Sequence, residues 1–199
     1  MFEMMIKSRR DLRFYIEEDA KRNGFSNINT IAIYIRYRLY LLAGVESAHV
    51  LRYLICLRKN EYYHNCSSNF LMKIFYFLLK IKLSRLGLKY NIRIPINKVG
   101  YGLRIHHISG GGGCHLYCES MGNYCGVNAG VLLGNNKSST DIPIIGDGCM
   151  FNVGCKVYGN IRIGKNVNIA ANAVVTRDVP DNCVVAGIPA KIIKYLDAR

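Results

Sequence analysis

Along the first 88 residues apolar side chains recur every three or four positions, with no proline and only Gly24, Gly44 and Gly87 to interrupt them. That spacing puts apolar groups on one face of a 3.6-residue turn and predicts helices. The first is expected over residues 10–23, stopped by Gly24, because glycine tolerates the positive φ of a helix end. Ser26 or Asn29 is the candidate cap of a second helix, which runs through Ile31, Ile35, Leu39 and Leu42 and stops near Gly44. Further helices are expected over 46–58 and 69–86.

After Gly87 the helical period is lost, all four prolines appear, and Val, Ile, Asn and Asp dominate. A six-residue beat replaces it: Ile145, Phe151, Val157, Ile163, Ile169 and Val175 follow one another without a break. Four positions after each stand Cys149, Cys155, Ile161, Val167, Ala173 and Val179, all small or β-branched. Such a beat suits short flat strands that each bury one large side chain and then turn at a residue tolerant of positive φ. One coil cannot bury its own aliphatic face, so several must stack. Met121, Val127 and Leu133 keep the period, as do Val99 and Ile105, but the segment between them is out of register. That break is where function is sought. The pattern divides the chain into a helical domain, 1–90, and a repeat domain, 91–199.

Charge adds an asymmetry. Of the formal net charge of +14, residues 1–94 supply most, with 17 Lys+Arg against 7 Asp+Glu. Anionic partners are favoured, but no nucleic-acid motif is present and no nucleic-acid partner is expected. The N-terminus carries no basic region leading into an apolar stretch, so eight cysteines read as reduced thiols and a cytoplasmic location is expected. Residues 70–83 are apolar but hold three lysines and fall short of the roughly 20 residues needed to cross a bilayer. Burial against other helices is the commoner fate of such a segment, with peripheral contact at a membrane interface as the alternative.

Three stretches carry a resemblance. They are 95–110, with Gly102-Leu103-Arg104-Ile105-His106-His107; Pro143 to Gly148; and Asp178-Val179-Pro180 through Gly187-Ile188-Pro189-Ala190-Lys191. Together with the repeats they resemble the hexapeptide-repeat acyltransferases, in particular serine acetyltransferases and the O-acetyltransferases of capsule and exopolysaccharide synthesis. The resemblance implies a left-handed parallel β-helix behind a helical N-terminal domain, a homotrimer, and acetyl-CoA as co-substrate between neighbouring subunits. The family's catalytic histidine falls in Gly-x-x-x-x-His-x-x-Gly and maps onto His107, with His106 as the fallback. A neutral imidazole there removes the proton of an acceptor hydroxyl as it attacks the thioester. Backbone N–H groups of residues 110–113 are candidate oxyanion donors.

The departures from serine acetyltransferases matter as much. Ile92 and Ile94 stand where those enzymes place the orienting aspartate and a histidine, and Asp141-Ile142 replaces the Arg-His before Pro143. A sugar hydroxyl of surface polysaccharide synthesis is therefore the favoured acceptor, with serine, for cysteine synthesis, as the alternative. Glu119 and Asp141 are the candidate replacements for the orienting carboxylate. Asn152, Gly154, Ala170 and Ala171 are expected along the pantetheine channel, and Thr176, Arg177 and Lys191 at the nucleotide phosphates. Cys114, His115 and Cys118 beside the His pair raise a zinc reading, but one Cys-x3-Cys without a matched second pair is weak and no metal is expected. A non-catalytic or metal-dependent β-helix protein is the remaining alternative.

Overall fold

The computed structural model describes all residues except 1–4, 109–111, 137, 139, 198 and 199. Four helices come first: α1 Arg9–Arg22, α2 Ile31–Leu42, α3 Glu46–Cys66 and α4 Phe70–Tyr90. The Ser8 side chain accepts from the Asp11 N–H and caps α1, and Asn69 accepts from Met72 to cap α4. Neither Ser26 nor Asn29 caps α2: Thr30 holds that position, its hydroxyl donating back to the Asn27 carbonyl rather than capping the helix, and the Asn29 amide donates to the Glu17 carboxylate. Helix α3 continues past Arg58, and α4 runs through Gly87 to a left-handed Asn91. Gly87 lies inside that helix at a point where a Cβ would press to 2.8 Å on the Ile92 carbonyl.

The remaining chain is a parallel β-helix of three sheets. Sheet A holds β1 Ile92–Arg93, β3 Cys114–Leu116, β6 Leu132–Gly134, β9 Lys156–Tyr158 and β12 Val174–Val175. Sheet B holds β4 Ser120–Met121, β7 Ile144–Ile145 and β10 Arg162–Ile163. Sheet C holds β2 Arg104–Ile105, β5 Gly126–Val127, β8 Met150–Phe151, β11 Asn168–Ile169, β13 Cys183–Gly187 and β14 Ala190–Tyr195. Within the helix each strand pairs in parallel with its counterpart one coil away; only β14 returns antiparallel, on β13. All twelve positions of the six-residue beat are buried, so the periodicity read from the sequence is the column structure of the core.

The turns explain the polar part of the pattern. At the edge between sheets B and C the residue in left-handed conformation is Gly102, Tyr124, Gly148, Asn166 and Asn182 on successive coils. Gly and Asn adopt that conformation at least cost, and Tyr124 is the exception.

Two insertions break the regularity. From Ile105 to Leu116, at the edge between sheets C and A, the chain takes eleven steps where Val127 to Leu133 takes six. The other lies between Leu133 and Ile145, at the edge between sheets A and B.

Helices α1 and α3 hold the N-terminal end of the β-helix through a buried ionic cluster. Arg58 is fully buried; it binds Asp19 at 2.8 Å and Glu61 at 3.0 Å, and donates to the carbonyls of Val99 at 2.8 Å and Gly100 at 2.6 Å. The carboxylates complete the clamp: Asp19 accepts from the Leu103 N–H and Glu61 from the Asn97 N–H. Burial is the largest influence on both carboxyls and lifts them above their ordinary range, while Arg58 beside them pulls the other way. The first coil is thus fixed by polar contacts from outside, whereas later coils hold one another.

Candidate active site

Strand register shows which predicted residues share an edge. Extending the β2–β5–β8–β11 pairing places His107 in one column with Ala129, Val153 and Ala171, and His106 in the next with Asn128, Asn152 and Ala170. Gly154 stands one position further, at the same C-to-A edge. His107, Asn152, Gly154, Ala170 and Ala171 are therefore brought together along one side of the β-helix. Lys191 joins them at the far end, opposite Ala186 in the β13–β14 pair, where Ala186 continues the Ala170 column.

His107 is exposed and held at φ 57°. Later coils place Gly130, Gly154 and Asn172 in that conformation, one position further along. A non-glycine residue held left-handed costs on the order of 1 kcal/mol and persists only when its surroundings impose it, which is a recurrent mark of a working side chain. The His106 backbone N–H donates to the Val127 carbonyl at 2.8 Å, and its ring is half-buried. Burial, followed by the charges of Arg104 and His107, lowers its pKa and keeps it neutral near pH 7. The rings lie 5.9 Å apart.

Two adjoining clefts run beside this edge. The smaller, of about 480 Å³, is lined by Ala129, Gly130, Val153, Gly154, Asn172 and Ile188, among others. The larger, of about 990 Å³, opens between α4 and sheet A past Asn60, Lys80, Arg93, Gly113 and His115. Gly130 and Lys156 border both. The Lys156 ammonium donates to the carbonyls of Gly130 at 2.7 Å and Gly154 at 3.0 Å, tying two coils together at the junction. Sequence reading missed Gly130, Lys156 and Ile188. Gly130 was findable, standing three positions after Val127 as Gly154 stands after Phe151.

Other predicted residues are placed elsewhere. Glu119 and Asp141 sit at the A-to-B edge, not beside His107: Glu119 pairs with Lys98 at 3.2 Å, and Asp141 accepts from the Asn160 N–H at 2.6 Å. Within one chain they do not orient the histidine. Thr176 and Arg177 are exposed at that same A-to-B edge, away from the column of Ala170 and Ala171. The Asn152 amide donates to the Asn168 side chain at 2.7 Å and to the Ile169 carbonyl at 2.8 Å, so its donors join coils.

Ile92, Ile94 and Ile142 are buried in the core and present no charge to the edge. Of the proposed oxyanion donors, residues 110 and 111 lie outside the described residues. Gly112 and Gly113 offer carbonyls to the Gly130 N–H, and a Cβ on Gly113 would overlap the Asn91 backbone. Cys114 faces the core and His115 faces outward on β3, which divides the zinc candidates. Among the described residues no group of three or more His, Cys, Asp or Glu is placed to hold a metal ion.

Comparison with known proteins adds three findings. Residues 142–177 match the family model of the bacterial transferase hexapeptide (six repeats). A serine acetyltransferase of Synechococcus elongatus is 40% identical over 101 residues, covering 50% of this chain and 41% of that protein. The chain thus spans less than half of the length of that curated relative. The crystal structure of Neisseria gonorrhoeae serine acetyltransferase in complex with serine superposes with a TM-score of 0.62 at 27% identity, covering 94% of this chain and 71% of that one. The superposition takes in both the helices and the β-helix of this chain, in keeping with the left-handed β-helix that the resemblance implies. In both its repeat sequence and its fold, the chain resembles the serine acetyltransferases.

Proposed function

We propose that the chain is an O-acetyltransferase that moves the acetyl group of acetyl-CoA to a hydroxyl, with His107 as general base. The observation that carries this reading is the left-handed His107, exposed on the edge that also bears the groove past Gly130 and Gly154. The acceptor oxygen attacks the thioester carbon as the imidazole takes its proton; the tetrahedral intermediate then breaks its C–S bond, and the imidazolium returns the proton to the sulfur. Replacing His107 by Ala should lower turnover about 10²–10⁴-fold while leaving acetyl-CoA affinity unchanged, as read by release of the free CoA thiol and by calorimetry. Turnover that survives the replacement would falsify the assignment.

Serine is the acceptor the comparisons favour over the sugar hydroxyl expected from the sequence, since the relatives described above are serine acetyltransferases. Nothing in them points to polysaccharide synthesis. The sugar reading keeps one observation: Ile92, Ile94 and Ile142 lie in the core and leave no charge at those positions to hold an amino acid's carboxylate and ammonium. Assays with serine and with sugar acceptors in parallel decide between them. Assembly as a trimer is part of the same proposal, because a one-sided edge groove becomes enclosed only when a neighbouring copy covers it.

A further inference from the structure

Helix α4 touches the rest of the protein along one narrow strip. Met72, Tyr76, Leu79, Leu83, Leu86 and Tyr90, spaced three or four apart, are with Gly87 its buried or half-buried positions, and α3 bonds to it through Asn60 and the Leu79 carbonyl at 3.0 Å. At 3.6 residues per turn the opposite side is a second apolar stripe, formed by Phe70, Ile74, Phe77, Leu78 and Ile81. It faces outward, with Phe70 76% and Phe77 61% exposed. On the same wheel Lys73 and Lys80 border one flank of the stripe and Lys82 and Lys89 the other.

The charge around this helix is one-sided. Between Glu61 and Glu119 the sequence contains no Asp or Glu, while Lys73, Lys80, Lys82, Arg85 and Lys89 lie within α4 itself. A second copy laid stripe against stripe about a two-fold axis would set these cations against their own equivalents. An anionic lipid surface complements them: the apolar stripe enters the acyl boundary while the flanking lysines extend to the headgroups. No single helix among the described residues is long and apolar enough to cross a membrane, which suits a helix lying in the interface plane.

We propose that α4 docks the protein on anionic bilayers, with the Phe70–Ile81 stripe inserted and the lysines at the headgroups. This surface is separate from the histidine edge, and its test does not depend on the reaction proposed above. Docking also brings the wall of the larger cleft that α4 supplies, through Lys80, Leu83 and Gly87, close to the lipid surface.

Sedimentation of the full chain with vesicles tests the proposal. Vesicles of phosphatidylcholine mixed with phosphatidylglycerol should carry the protein down, less so as salt rises, and vesicles of phosphatidylcholine alone should not. Lys73→Gln with Lys82→Gln should weaken binding about 25-fold, roughly fivefold per lysine. Phe70→Ser with Phe77→Ser should weaken it tenfold or more even at low salt. Circular dichroism establishes that each variant folds, and if either does not, the lipid and salt comparison on the unaltered protein decides alone. The idea is overturned by failure to bind anionic vesicles at low salt, or by equal binding to both vesicle types. It is overturned too if the phenylalanine variant turns a larger lipid-free assembly into a smaller one by light scattering, because a second copy then covers the stripe.

Discussion

The regular coils from Ile145 onward and the first coil around His107 solve the same packing problem by different means. In the regular coils each inward side chain rests on its equivalents above and below, and the turn residues are Gly or Asn, which accept the left-handed conformation cheaply. The first coil has a neighbour on one side only. It carries the C-to-A insertion and a strained histidine, and it is held through Arg58, Asp19 and Glu61 from the helical domain. Repetition makes a rigid column without help; a side chain departing from the repeat needs support from outside it.

Breaking the external support should have the largest effect. Arg58→Ala strands two buried carboxylates and the carbonyls of Val99 and Gly100, and should cost about 3–5 kcal/mol, seen as a lowered thermal midpoint. Shaving the repeat should cost much less. Ile163→Val removes one methylene from a column whose neighbours remain, and about 0.5–1.5 kcal/mol is expected by denaturant unfolding. A loss for Ile163→Val as large as that for Arg58→Ala would erase the distinction between the two regions.

The smallest effect is a dependence on pH in the first coil and its insertion, absent from the regular coils. Burial lowers the pKa of both His106 and His115 below the ordinary 6.5. Below 6.5 the unfolded chain takes up protons that the folded chain resists, so stability contributed by these groups is present above that value and lost as pH falls through it. Protection against hydrogen exchange, corrected for the intrinsic rate at each pH, should then fall with acidification in residues 104–108 and 112–116 and stay level in residues 145–175; a fall in both would assign the effect elsewhere.

The contrast also decides what the sequence disclosed. The six-residue beat was legible because each inward position is occupied by one kind of side chain, and the helical half because glycine and proline are scarce. Helix α3 runs past the expected end at Arg58, which is buried there between Asp19 of α1 and Glu61 one turn further along α3. His107 is singled out by the motif around it. Glu119 and Asp141, with Thr176 and Arg177, lie on the A-to-B edge of the same chain, because the six-residue beat marks inward positions but not which edge a turn residue occupies.

The columns along the C-to-A edge act as a ruler. Successive coils are spaced by the separation of hydrogen-bonded strands, about 4.8 Å, so the level of His107 and that of Ala171, three coils on, stand roughly 14 Å apart. A ligand that spans them is selected for its length before any of its chemistry is read. Excising one complete coil between Ala129 and Ala171 would shorten that gauge by one strand spacing and leave the histidine itself untouched.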